Sequence, residues 1–128
     1  MNTTTRFLTV AEATELARIA FTGDGVPELR EPGLLASAVH RPRARMMGQS
    51  AYEDVYEQAA ALLHAIATNH PFVDGNKRAA WLSAAVFLAV NGVDLAEADL
   101  DRAYDLVIAV AGGDLADIPG IARRIRKL

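Results

Sequence analysis

Residues 79–90 read AAWLSAAVFLAV, twelve residues that contain one serine and no charged side chain. A helix made of them is apolar on nearly every face, which is typical of a helix at the centre of a protein. The run is too short for a membrane-spanning helix, which needs about 20 apolar residues. It therefore predicts a buried central helix, and the Asn91-Gly92 pair that follows is a typical helix end.

Five further helices are predicted around this central one. The 25 alanines of the chain favour helix, because alanine has the highest intrinsic helix propensity. A capping box, in which Thr9 and Glu12 bond to each other's backbone N–H groups, predicts the start of the first helix. That helix is expected to end in the segment 21–25. The others are expected at about residues 32–40, 53–69, 97–111 and 117–128.

The predicted fold is a compact all-α bundle of six helices, in a single domain over residues 1–128. A chain of 128 residues is long enough to bury roughly two-thirds of its unfolded surface without disulfides or metals. No internal repeat and no linker divides it. Residues 41–52 (RPRARMMGQSAY) have no helical period, and this predicts that they form the longest loop.

Charge and cysteine content exclude several classes of protein. Thirteen Lys and Arg residues against sixteen Asp and Glu give a net charge of −3. Direct DNA binding is therefore not expected, because neutralisation of phosphates requires a basic excess. With no cysteine, the chain has no disulfide, thiolate metal site or Cys nucleophile. The N-terminal residues lack the pattern of a signal peptide, which predicts a cytoplasmic protein without a membrane segment.

Residues 69–78 carry the chemistry of the chain; they read NHPFVDGNKR and lie between two apolar helices. Placed at the N-terminus of the central helix, they would meet backbone N–H groups and a positive dipole end that favour phosphate. Gly75 would let the backbone approach an anion closely. Asn76 can cap the helix or hold the loop. Lys77 and Arg78 would add the positive charge that phosphate requires.

His70 and Asp74 complete a set of groups suited to nucleotide-dependent transfer. Histidine has an ordinary pKa of about 6.5, which suits a general base for a hydroxyl nucleophile. Aspartate is a hard oxygen ligand for Mg²⁺, which usually takes one or two carboxylates together with substrate phosphates. Plainer interpretations stay open: His70 could simply end the third helix, and Asp74 could be a turn residue. Cations in the first turn of a helix oppose its dipole, so Lys77 and Arg78 favour the functional interpretation.

The stretch HPFVDGNKR resembles the signature of the Fic/Doc superfamily, HPFx(D/E)GNGRxxR, and the KR after the asparagine resembles its Doc branch. The resemblance covers about residues 8–127, in the order LTV, PGLLASAV, YED, AAALLHAIATNHPF, FLAVNG and IARRIRKL. It implies the all-α Fic/Doc fold.

The resemblance also implies a role for each position of the motif. His70 would take the proton of the target hydroxyl, Asp74 would hold Mg²⁺, and Phe72 would anchor the loop in the core. The residues that would contact the phosphates of ATP are Gly75, Asn76, Lys77 and Arg78.

By this resemblance the chain would be the toxin of a toxin–antitoxin pair. It would be a protein kinase that moves the γ-phosphoryl group of ATP to a threonine of elongation factor Tu and arrests translation. Inhibition is expected in trans, by an antitoxin whose disordered segment folds into a groove. A Fic-type adenylyltransferase and a catalytically inactive binding module are the alternatives. Lys77 and Trp81 stand where the adenylylating signature has a glycine and a second arginine, and this departure favours the kinase.

Outside the motif, structural roles are predicted for most notable residues. Trp81 is expected in the core, and His40 and His64 are expected to serve the fold. The cations of the last helix would be solvated or would meet an acidic partner. Two roles, solvated surface or contact with nucleotide or target, stay open for the loop arginines Arg41, Arg43 and Arg45.

Overall fold

Six α-helices are present in residues 4–21 and 28–128, the part of the chain that this computed structural model describes. In chain order they are α1 (Val10–Ala20), α2 (Pro32–His40), α3 (Val55–Asn69), α4 (Asn76–Val90), α5 (Leu100–Ala111) and α6 (Ile118–Arg126). The predicted all-α fold with six helices is confirmed. Of the segment 21–25, expected to end the first helix, residues 22–25 lie outside the described residues.

Helices α3 and α4 form the centre of the bundle. Nine residues of α3 and six of α4 are buried, more than in any other described helix. Small side chains such as Ala59 and Ala80 allow close packing, and Phe87 and Leu88 of α4 fill the core beside them. The short connection over residues 70–75 makes the two helices antiparallel neighbours. No helix among the described residues is both long and apolar enough to cross a membrane.

Side-chain caps set the starts of α1, α3, α5 and α6. The Glu12 N–H donates to Thr9 Oγ1 over 3.1 Å and the Thr9 N–H donates to the Glu12 carboxylate over 2.9 Å, so the predicted capping box of α1 is confirmed. Asp54, Asp99 and Asp117 cap α3, α5 and α6. These three helices begin one to three residues later than expected. The reason is that each aspartate must stay extended to accept N–H groups of the first turn.

Residues 41–52, predicted as a loop, contain two short regular elements. A 3-10 turn covers Arg41–Arg43, and β1 (Arg45–Met46) pairs with β2 (Gln49–Ser50) in an antiparallel hairpin. Met47 and Gly48 form its turn with φ values of 53° and 81°, as in a type I′ turn. The sequence did not predict this hairpin, because Met-Gly lacks the usual Asn-Gly signal and two-residue strands show no alternation.

A short strap, residues 28–30, fastens the α3–α4 connection to the chain before α2. Leu29 and Phe72 form an antiparallel bridge between the two segments. Beside it the Val73 N–H donates to the Glu28 carbonyl over 2.8 Å. Phe72 is fully buried, as expected for the residue that anchors the loop. The strap and the core thus hold the connection from two sides.

Candidate active site

A surface groove of about 900 Å³ lies beside the α3–α4 connection. Every residue of the predicted site lines it: His70, Asp74, Gly75, Asn76, Lys77 and Arg78. These residues come from the end of α3, the connection and the first turn of α4. The fold therefore brings an imidazole, a carboxylate and two cations to one groove.

His70 is the C-terminal cap of α3 and has a left-handed backbone, with φ 51° and ψ 60°. This conformation costs a non-glycine residue roughly 1–2 kcal/mol, although histidine adopts it more often than most. The side chain is exposed at the groove. No hydrogen bond to the imidazole is formed by the described residues.

Asn76 locks the loop to the start of α4. Its Oδ1 accepts the Phe72 N–H over 3.0 Å, and its Nδ2 donates to the Phe72 carbonyl over 2.8 Å. Of the two roles that the sequence allowed, cap or loop holder, the structure places Asn76 in the second. The N-cap position of α4 belongs to Gly75 and has no side-chain cap.

Asp74 uses one carboxylate oxygen within the loop. The Gly75 N–H donates to Asp74 Oδ1 over 2.8 Å, and the side chain is exposed. Gly75 has φ 80°, a conformation that favours glycine. The described residues include no group of three or more side chains that could hold a metal alone. One carboxylate at a groove fits Mg²⁺ only where substrate phosphates complete its ligands, which is the usual arrangement for this ion.

The first turn of α4 makes its end of the groove electropositive. The first hydrogen bond of the helix joins the Ala79 N–H to the Gly75 carbonyl, so the amides before it face out of the helix end. Lys77 and Arg78 are exposed, and the turn contains no acidic residue. Helix dipole, amides and side-chain charge all favour an anion there.

Apolar side chains of α4 and α5 line another part of the groove. Leu100, Tyr104 and Ile108 recur every four residues on α5, and the first two are 74% and 66% exposed. Trp81, which the sequence placed in the core, packs against the core but is half-buried and also lines the groove. Sequence reasoning missed the α5 face, because the buried face of the same helix already accounts for its apolar pattern. The signal that could have found this face is the four-residue spacing of Leu100, Tyr104 and Ile108 in the sequence.

The loop arginines have partners elsewhere and are not among the groove-lining residues. Arg41 Nη1 lies 2.9 Å from His64 Nδ1. Burial, together with the nearby charge of Arg41, lowers the pKa of His64 from its usual value. Arg43 lies over the Phe7 ring, 4.8 Å from its centroid. Arg45 donates to a carbonyl of the hairpin turn.

Similarity to known proteins extends along most of the chain. Residues 7–88 match the model of the Fic/DOC family. The chain belongs to this family. It is 44% identical over 122 residues to "Toxin Doc" of Mycolicibacterium smegmatis, and this match covers 94% of our chain and 92% of the relative. It is 36% identical over 107 residues to "Protein kinase doc" of Escherichia phage P1, and this match covers 81% of our chain and 79% of the relative. Both relatives place this Fic/Doc chain in the Doc branch.

Proposed function

We propose that this chain is a Doc-type toxin that transfers the γ-phosphoryl group of ATP to a threonine hydroxyl of a translation factor. Elongation factor Tu is the expected target. The observation that carries the proposal is the groove, in which His70, Asp74 and the first turn of α4 come together. The relatives named toxin and protein kinase support the same function.

His70 is the general base in this proposal. Its imidazole accepts the hydroxyl proton while the threonine oxygen forms a bond to the γ-phosphorus. The bond from that phosphorus to the β,γ-bridging oxygen breaks, so the products are phosphothreonine and ADP. A positioned base contributes about 10²–10⁴-fold in rate. Positioning and charge neutralisation supply most of the remainder in phosphoryl transfer.

The first turn of α4 neutralises phosphate charge. Lys77 and Arg78 add side-chain cations to a helix N-terminus whose amides already favour phosphate. Asp74 is the residue that would hold Mg²⁺, and the bound ion supplies further charge neutralisation at the phosphates. Asn76 keeps this turn in register with the loop through its two bonds to Phe72.

Lys77 and Trp81 favour γ-phosphoryl transfer over transfer of AMP. A lysine side chain occupies space where the adenylylating signature has a glycine. The indole of Trp81 lines the groove where that signature has a second arginine, and an indole carries no charge to neutralise phosphate. Loss of one charge-assisted contact costs on the order of 1.5–3 kcal/mol, or roughly tenfold or more in affinity. ATP would then lie with its γ-phosphorus toward the incoming hydroxyl.

Isotope label separates the two reactions. The purified protein is incubated with elongation factor Tu, Mg²⁺ and ATP labelled either at the γ- or at the α-phosphate. We expect γ-label on the target, on a threonine located by mass spectrometry, and no α-label. Transfer of α-label alone would make the protein an adenylyltransferase. Absence of both labels from every protein of a cell extract would favour an inactive binding module.

We also propose that an antitoxin inhibits the protein in trans at the apolar part of the groove. Leu100 and Tyr104 present a repeat of one helical turn, which fits an amphipathic helix that folds on binding. A helix there would obstruct access to His70, which lines the same groove.

Tyr104→Asp should weaken binding of the protein encoded by the neighbouring gene by tenfold or more, as about 1.5 kcal/mol of lost apolar burial implies. Asp101→Asn, on the same helix but not in the groove lining, is the control; equal binding by both variants would contradict the site.

A further inference from the structure

Arg30 donates hydrogen bonds to three consecutive carbonyl oxygens of the motif. Its Nη2 lies 2.8 Å from the Asn69 carbonyl oxygen, and its Nε lies 2.9 Å from that of His70. Its backbone N–H bonds to the Pro71 carbonyl over 2.8 Å. One residue, forty positions earlier in the chain, thus holds the backbone on both sides of the proposed base.

These carbonyls lie where α3 ends, and the last carbonyls of a helix have no intrahelical partner. In α1 the next backbone N–H satisfies such a group, since Phe21 N–H bonds to the Ala17 carbonyl. At the end of α3 a guanidinium caps two carbonyls at once. Its charge also suits the negative end of the helix dipole, and α3 has no basic residue in its own last turn.

Arg30 is itself fixed in place. It belongs to the strap, and the neighbouring Leu29 packs against the core and bridges to Phe72. The guanidinium therefore extends from a backbone that is tied to the segment it holds. Its planar arrangement of donors can bond two neighbouring carbonyls, which a lysine ammonium does with less directional specificity.

We propose that Arg30 is a positioning residue, which keeps His70 in the left-handed conformation that presents its imidazole in the groove. The proposal rests on the proposed role of His70 as the base. Arg30 makes no contact with substrate in it, because its side chain bonds to backbone oxygens and is not among the groove-lining residues. Left-handed non-glycine residues persist where the surroundings impose them, often at functional sites.

Loss of Arg30 should lower kcat and leave the KM for ATP nearly unchanged. The base would shift, and a misplacement of about 1 Å can cost on the order of 10²-fold in rate. The phosphate-binding turn is held separately, by the bonds between Asn76 and Phe72. A merely structural role would instead lower kcat only as far as it lowers the folded fraction.

The experiment compares Arg30→Met, which keeps length but removes the donors, with Arg30→Lys, which keeps the charge. Arg18→Met is the matched control, because Arg18 is an exposed arginine whose partner is Glu15 on α1. For each protein, kcat and the KM for ATP are measured below its melting temperature. We expect kcat to fall at least tenfold in Arg30→Met, partial recovery in Arg30→Lys, KM within about twofold of wild type, and no change in Arg18→Met. A kcat of Arg30→Met within twofold of wild type would overturn the proposal.

NMR reads the geometry without reference to activity. The ¹³Cα and ¹³Cβ shifts and the HN–Hα coupling of His70 report whether its φ is positive. We expect the left-handed signature in wild type and its loss in Arg30→Met, while shifts in the hairpin stay unchanged. If wild type transfers no label, the proposed function is wrong and this arm alone decides the role of Arg30. An unchanged His70 backbone in Arg30→Met overturns that role.

Discussion

Met47 in the hairpin turn and His70 at the end of α3 have almost the same φ angle, but they are held in different ways. Both are non-glycine residues with positive φ, 53° and 51°. The pairing of two adjacent strands accounts for Met47, whose side chain is fully exposed. The carbonyl of His70 is bonded by Arg30, which is distant in sequence. One conformation is a local product of a turn, and the other is imposed by the tertiary fold.

This difference predicts how far the effect of a substitution spreads. A change in the hairpin removes contacts among residues 45–50 and should stay there, since the strands have only two residues each. The motif loop is joined to the strap, to α3 and to the first turn of α4. A change that breaks one of these contacts should therefore lower both transfer activity and global stability.

The largest expected effect is that of His70→Asn, which is compared with the same substitution at Met47. Asparagine tolerates this conformation, so His70→Asn keeps the backbone and removes the base. We expect it to lower transfer of γ-label by about 10²-fold or more, with an unchanged melting temperature. Met47→Asn should keep the wild-type rate. A well-folded His70→Asn protein with full activity would contradict the assignment of the base.

Asn76→Ala should give the largest loss of stability. It removes two hydrogen bonds to the backbone of Phe72, and these contribute about 1–3 kcal/mol together. The free energy of unfolding, measured by urea titration, should fall by that amount. Gln49→Ala, an exposed residue of β2, is the control and should change it by less than about 0.5 kcal/mol. Equal losses in the two variants would show that the motif loop is no more strongly coupled to the fold than the hairpin.

A smaller effect concerns pH and the bond between the 3-10 turn and α3. Burial and the charge of Arg41 lower the pKa of His64 below 6.5, so the folded protein binds fewer protons than the unfolded chain. The free energy of unfolding should therefore decrease as pH falls below about 6.5. His64→Gln should reduce this slope. A slope of the same size in the variant would assign it to other groups.

A second decrease is expected at more acidic pH, from the cap of α1. The Glu12 carboxyl has a lowered pKa because it accepts the Thr9 backbone N–H and lies beside Arg6. This carboxylate stabilises the folded state fully above about pH 4.5, and the stabilisation is lost as the pH falls through its lower pKa in the folded state. Glu12→Gln should remove this component and leave the His64 slope unchanged. If Glu12→Gln also lost the decrease in unfolding free energy that is assigned to His64, the two pH effects would not be separate.

The smallest effect is expected from Met47→Asn itself. Asn-Gly is the preferred pair of a type I′ turn, so the variant should be stabilised by a few tenths of a kcal/mol. The change should appear as slower hydrogen exchange at the amides of residues 45–50 and not elsewhere. Slower exchange in the motif loop as well would mean that the hairpin and the groove are coupled.

The helix positions could be predicted because their signals are short-ranged. The Thr9 and Glu12 pair forms the expected capping box, and the predicted apolar run lies within α4. The residues of the candidate site were also predictable, since they lie within nine consecutive positions. Their roles stay proposals, but their convergence on one groove follows directly from that proximity.

Arg30 and the α5 face could not be predicted in the same way. Arg30 is an exposed arginine outside any helix, and nothing near it in sequence indicates a partner forty residues away. Tyr104 and Leu100 lie on the exposed face of a helix whose buried face already explains its pattern. Trp81 was expected in the core because its neighbours are apolar. Only the position of α5 beside α4 shows that the Trp81 side chain also lines the groove.

The sequence by itself determined the helical elements, the chemistry of the residues from His70 to Arg78 and their order along the chain. Those features depend on propensity, capping and spacing, which act over a few residues. Only the tertiary structure decided the left-handed backbone of His70, the carbonyl contacts of Arg30 and the apolar part of the groove. These features join segments that lie tens of residues apart. Their geometry exists only once the core has packed, because packing is what brings those segments into contact.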